Sequence, residues 1–150
     1  MPDNQRTIID LLDREFTSLI EALRLLTKSI PQDLLYRQPP APTVGEHIIK
    51  SAGVVEQTFG GITTNLWDDP FEWTLPETLS TTDRILEYLS EVDATRSRGF
   101  ASFADDATLL KYIAVPSDTP CQLLELLLQT LTRASDYRGQ AVATLKCVVA

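Results

Sequence analysis

The stretch Thr43-Val44-Gly45-Glu46-His47-Ile48-Ile49-Lys50-Ser51-Ala52-Gly53-Val54-Val55-Glu56 decides how the rest of the chain is read. It opens with a capping box. The Thr43 hydroxyl can accept from the backbone N–H of Glu46, and the Glu46 side chain can reach back. Val44, Ile48, Val55, Phe59 and Ile62 then recur at helical spacing. A helix is predicted from Thr43 to near Asn65, with Gly60-Gly61 closing it. Before it, Pro39-Pro40-Ala41-Pro42 forms a stiff connector.

Three more helices follow from the same pattern on either side. The first is predicted from about Asn4 to Ser29, with Asp3 or Asn4 as its cap and Pro31 as its stop. Its stripe is Ile8, Leu12, Phe16, Leu19, Leu23, Leu26 and Ile30. Another begins at Ser80 with Asp83 as capping partner, turns Ile85, Leu89, Val92 and Phe100 inward, and ends near Ala104. The last has Thr119 as cap and Pro120 at its first position, a favoured pairing. It carries Leu123, Leu124, Leu127, Leu128, Leu131 and Ala134, and runs past Tyr137 toward Leu145 despite Gly139. Four amphipathic helices at this spacing imply an all-α four-helix bundle.

Two connections are long. Trp67–Pro76 holds both tryptophans and is expected to pack over one end of the bundle, where such a loop can cover a pocket mouth. Residues 105–119 include the strand-like Lys111-Tyr112-Ile113-Ala114-Val115, too short and isolated to imply a sheet.

Composition narrows the function classes. The 150 residues fit one domain, 1–150, with a single core. A net charge of −8 without a Lys/Arg cluster argues against nucleic acid and against anionic membrane surfaces as partners. No signal-peptide core and no membrane-length apolar run are visible, so the cytoplasm is the expected location. Cys121 and Cys147 form no CxxC or zinc spacing and read as small apolar groups. Gly60-Gly61 lacks the context of a phosphate loop, and no nucleophile motif surrounds a serine.

Two segments carry a resemblance. One is the stretch quoted above. The other is Leu126-Leu127-Leu128-Gln129-Thr130-Leu131-Thr132-Arg133-Ala134-Ser135-Asp136-Tyr137-Arg138-Gly139-Gln140. Together they resemble the DinB/YfiT-like superfamily of metal-dependent enzymes, and the likeness spans nearly the whole chain. Its most specific piece is the Arg138-Gly139-Gln140 tail. The resemblance implies an up-down-down-up bundle, often a homodimer, with thiol-dependent transferases among the relatives.

Metal-binding relatives use three histidines, one after the Ser/Thr-x-Gly-Glu start and two spaced by four residues before Arg-Gly-Gln. Carried over, those positions are Lys50, Arg133 and Tyr137. None is histidine, and two are cations that repel a divalent ion. Asp136 and Gln129 stand where relatives often have further histidines. The one histidine, His47, lies a turn before Lys50 and reads as a helix-flank residue hydrogen-bonded at the bundle edge. Lys50 falls off the apolar stripe and reads as solvated or snorkelling. With Asp136 and Tyr137, His47 makes an incomplete ligand set.

The pocket candidates are therefore His47, Lys50, Gln129, Arg133, Asp136 and Tyr137. No metal ligand is assigned. No resident cofactor is expected, zinc or nickel being the ions to look for. The expected function is a non-catalytic, metal-free protein binding a small ligand or a partner. The alternative is a divergent transferase or hydrolase using the bundle pocket.

Overall fold

The computed structural model describes residues 5–70, 76–117 and 119–149. Four long helices carry the fold: α1 (Thr7–Ser29), α2 (Val44–Thr64), α3 (Thr82–Ala101) and α4 (Leu123–Val149). They enclose one hydrophobic core. Its centre is an aromatic group in which Phe16 of α1, Phe59 of α2 and Phe100 of α3 stand 5.2–5.5 Å apart, centroid to centroid. Tilted and edge-to-face rings at this distance add stabilisation beyond their buried area.

Helix α2 is the central element. It buries 13 of its 21 residues, against 7 of 23 in α1. The capping box forms: the Thr43 hydroxyl accepts from Glu46 N–H at 3.3 Å, while the Glu46 carboxylate accepts from that same hydroxyl. Gly45 is required by a close approach. A Cβ there would lie 2.4 Å from the Tyr36 ring, whose hydroxyl donates to Leu79 O. The helix closes on Asn65 in the left-handed conformation, φ 57°, a position asparagine tolerates.

Side-chain contacts fix the relative directions. Ser51 Oγ donates to Ala134 O at 2.7 Å, and the Thr58 and Thr130 hydroxyls share a hydrogen bond at 2.6 Å, so α2 and α4 run antiparallel. Helices α1 and α3 also run antiparallel. Arg96 pairs with Asp13 and Asp93, and Arg24 reaches Asp93 at 3.5 Å. Arg96 is 6% exposed, and this network keeps its buried charge compensated.

Several sequence expectations need correction. The α1 stripe holds at Leu12, Phe16, Leu19, Leu23 and Ile30 but not at its first position, where Ile9 is buried and Ile8 is 45% exposed. Its first turn begins at Thr7, and the expected caps Asp3 and Asn4 lie outside the described residues. The free N–H groups of Ile8 and Ile9 are taken instead by the Asp106 carboxylate, both at 3.0 Å. Arg6 donates to Phe103 O and Phe100 O nearby. Helix α3 starts at Thr82 with Thr81, not Ser80, as its cap, and ends at Ala101.

Helix α4 starts at Leu123 rather than Pro120. Strand β1 (Tyr112–Ile113) pairs antiparallel with β2 (Cys121–Gln122), and Leu123 N–H bonds Lys111 O. The ribbon claims the residues that Thr119 and Pro120 were expected to lead into the helix. Leu128, placed on the inner stripe, is 47% exposed. Among the described residues, no helix is long and apolar enough to cross a membrane.

Two outcomes follow. Asp106→Ala removes two charge-assisted bonds at a helix N-terminus and should cost about 1–2 kcal/mol; urea unfolding measures the loss, and hydrogen exchange should quicken first at Ile8 and Ile9. Gly139 is helical and a Cβ there meets nothing within 4 Å, so Gly139→Ala should stabilise by roughly 0.5–1 kcal/mol.

Candidate functional site

Of the six sequence candidates, His47 and Lys50 lie on α2, and Gln129, Arg133, Asp136 and Tyr137 lie on α4, the helix packed against it. Thr58 lies eleven residues after His47, roughly 16 Å farther along α2. At the His47 end the helices touch through the Ser51–Ala134 hydrogen bond, which is buried. His47 itself is 5% exposed, so the expectation of a bundle-edge residue is corrected. Its Nδ1 has no hydrogen-bond partner among the described residues. Burial pushes its pKa below the usual histidine value; the Lys50 charge lowers it further, against an opposing effect from Glu46. Burial and the Lys50 charge both favour the neutral imidazole.

Lys50 is half-buried, because α2 is covered on most of its circumference. Tyr137 is also half-buried and packs on the core. Asp136 is exposed and accepts from Gln140 Nε2 at 2.9 Å. Gln129 is exposed and donates to Glu125. Gln129 and Arg133 line a polar cleft of about 440 Å³ farther along the seam. Gln57, Thr58, Trp67 and Cys121 complete much of its wall. Burial, with Glu125 adding to it, pushes the Cys121 thiol up from its ordinary value. That favours the thiol over the nucleophilic thiolate. Among the described residues, no three His, Cys, Asp or Glu side chains gather in a metal-binding arrangement.

A larger cleft lies elsewhere, between α2 and α3, and sequence reasoning missed it. It measures about 530 Å³, within the usual range for small-molecule sites. Glu56, Gly60 and Thr64 line it from α2, and Arg84, Glu87, Tyr88 and Glu91 from α3. Leu66, Asp68, Pro70, Thr78 and Leu79 close it from the connection between them. Tyr88 is 5% exposed, and its hydroxyl donates to Glu56 Oε2 at 2.6 Å.

The chain after α2 shapes both clefts. Asn65 reverses its direction, Leu66 N–H bonds Gly60 O, and the Trp67 ring lies on Gly61. A Cβ on Gly61 would come within 2.2 Å of that ring. Gln57 Nε2 secures Trp67 O at 2.8 Å, and Trp67 Nε1 donates to Asn65 Oδ1. Trp67 thus packs at the end of α2, as expected of the aromatic loop; Phe71 and Trp73 lie outside the described residues. The spacing Glu56, Gly60, Thr64 marks the α2 wall at one-turn intervals. That signal was present, but the resemblance gave Glu56 no role.

Compared with protein-family models and with curated proteins, the chain gives no match.

The lowered His47 pKa has a pH consequence. An unfolded chain takes up a proton near pH ~6.5 that the folded chain resists. Stability should therefore fall as pH drops below that value, and be insensitive to this group above it. Thermal unfolding between pH 7.5 and 5.5 should show a larger loss for the wild type than for His47→Gln. Equal losses would remove His47 from the cause.

Proposed function

We propose that this chain is a metal-free, non-catalytic small-ligand-binding protein built on a DinB/YfiT-like four-helix bundle, with the α2/α3 cleft as its ligand site. The observation that carries this reading is the cleft itself. It combines a volume of about 530 Å³ with a carboxylate, Glu56, positioned by a buried tyrosine hydroxyl. Such a mix of apolar wall and a few fixed polar groups suits a small molecule.

The helix directions support the superfamily part of the reading. Antiparallel α1/α3 and α2/α4 pairs, with the starts of α2 and α3 joined through Tyr36, Gly45 and Leu79, are what an up-down-down-up order requires. The substituted positions Lys50, Arg133 and Tyr137 support the metal-free part. The upward shift of the Cys121 thiol disfavours thiolate chemistry at that residue. The homodimer that the resemblance implies belongs to the same proposal.

Metal analysis of untagged protein should find no stoichiometric zinc or nickel, and finding either would overturn the metal-free reading. The superfamily register has a separate test. The triple variant Lys50→His, Arg133→His, Tyr137→His should gain zinc binding, read by isothermal titration, if these positions face one another as in the relatives. A folded triple variant that stays indifferent to zinc would reject that register.

A further inference from the structure

We infer that the α2/α3 cleft is built for a small organic cation, an amine carried on an apolar body. The inference rests on reading this cleft as the ligand site and gives that site its chemistry.

Charge selects the sign of the ligand. Glu56, Asp68, Glu87 and Glu91 line the cleft against a single guanidinium, Arg84. Arg84 donates to Thr78 O at 3.3 Å, and it forms no ion pair with these carboxylates among the described residues. The excess negative charge is therefore not neutralised from within. An anion entering here meets repulsion, while a cation is attracted before contact.

Geometry selects where the charged head sits. Glu56 is half-buried, and Tyr88 holds one of its oxygens, Oε2. Its other oxygen, Oε1, accepts no hydrogen bond from the described residues. A carboxylate so oriented loses little freedom on meeting an ammonium group, and its partial burial strengthens the attraction over that in water. Glu87 and Glu91 flank Tyr88 on the same side of α3, a turn apart, and are exposed. They stand at the mouth, where they steer rather than grip.

Apolar surface selects the remainder. Leu79 and Pro70 are buried behind the cleft, and Leu66 is a 62% exposed leucine beside it. Gly60 carries no side chain on the α2 wall, and the Leu66 backbone packs against it there, bringing the Leu66 side chain to the cleft. A bare metal ion would leave these apolar groups unused. An arylalkylamine engages both parts.

The test is an NMR titration of the ¹⁵N-labelled full chain with 2-phenylethylammonium chloride and, separately, with 2-phenylethanol of the same shape and no charge. The amine should give saturable shifts at Glu56, Gly60, Leu79 and Tyr88, and bind at least about tenfold more tightly than the alcohol. Added salt should weaken it. Glu56→Gln, which keeps an acceptor for Tyr88, should lose about tenfold in affinity. The double variant Glu87→Gln, Glu91→Gln lies on exposed helix surface, does not threaten folding, and should lose severalfold.

Equal binding of amine and alcohol in the cleft would overturn the cation assignment while leaving the ligand site intact. Shifts from neither compound would overturn both. Amine shifts scattered over the acidic surface without saturation would mark non-specific attraction and also reject the assignment. If Glu56→Gln fails to fold, the amine–alcohol pair and the double variant decide.

Discussion

The fold depends on how closely α2 can approach α4. Ser51 and Thr58 on one helix, and Ala134 and Thr130 on the other, are small, and their hydrogen bonds are made inside the seam at 2.7 and 2.6 Å. Each hydroxyl is satisfied by the facing helix, so its burial incurs no desolvation penalty without compensation. This contact brings α2 to the centre of the molecule, where α3 also packs on it and the rings of Phe16 and Phe100 flank Phe59. The cavities form where the seam opens and on the opposite flank of α2.

That central position explains which parts of the sequence were readable. Local signals were reliable where the chain acts on its nearest neighbours. The Thr43–Glu46 box, the stop at Ser29 before Pro31 and the turn at Asn65 all appear as spacing and propensity imply. Signals failed where a distant segment supplies the partner. The α1 N-terminus is capped by Asp106, about a hundred residues away in sequence. Pro120 does not open α4, because pairing with Tyr112–Ile113 holds Cys121–Gln122 extended. Neither partner leaves a mark at the residues it affects.

The candidate site was legible to a lesser degree, for a related reason. An amphipathic stripe presumes one buried face and one solvated face. Helix α2 is buried on most sides, so His47, expected at the bundle edge, is buried, and Lys50, judged off the stripe, is half-buried. On α4 the resemblance directed attention to Gln129, Arg133, Asp136 and Tyr137, yet three of the four are exposed. The α2/α3 cleft escaped notice because its walls come from two helices and the segment between them. Tyr88 and Glu56 are 32 residues apart, and only the packing of α2 beside α3 makes them one group.

A burial argument also ties the two flanks of α2 together. Helix α2 carries its ionisable residues at Glu46, His47, Lys50 and Glu56, and each must be solvated, paired or neutral. Burial of His47 favours its neutral form, and Glu46 is bound into the helix cap. Glu56 keeps its hydroxyl partner and lines the α2/α3 cleft. A carboxylate there could have been replaced by an apolar residue with gain in packing, as buried ionic groups commonly can. Glutamate at this position is better understood through the cleft it faces than through the core it borders, and for that reason α3's side of α2, rather than α4's, is where ligand chemistry is to be sought.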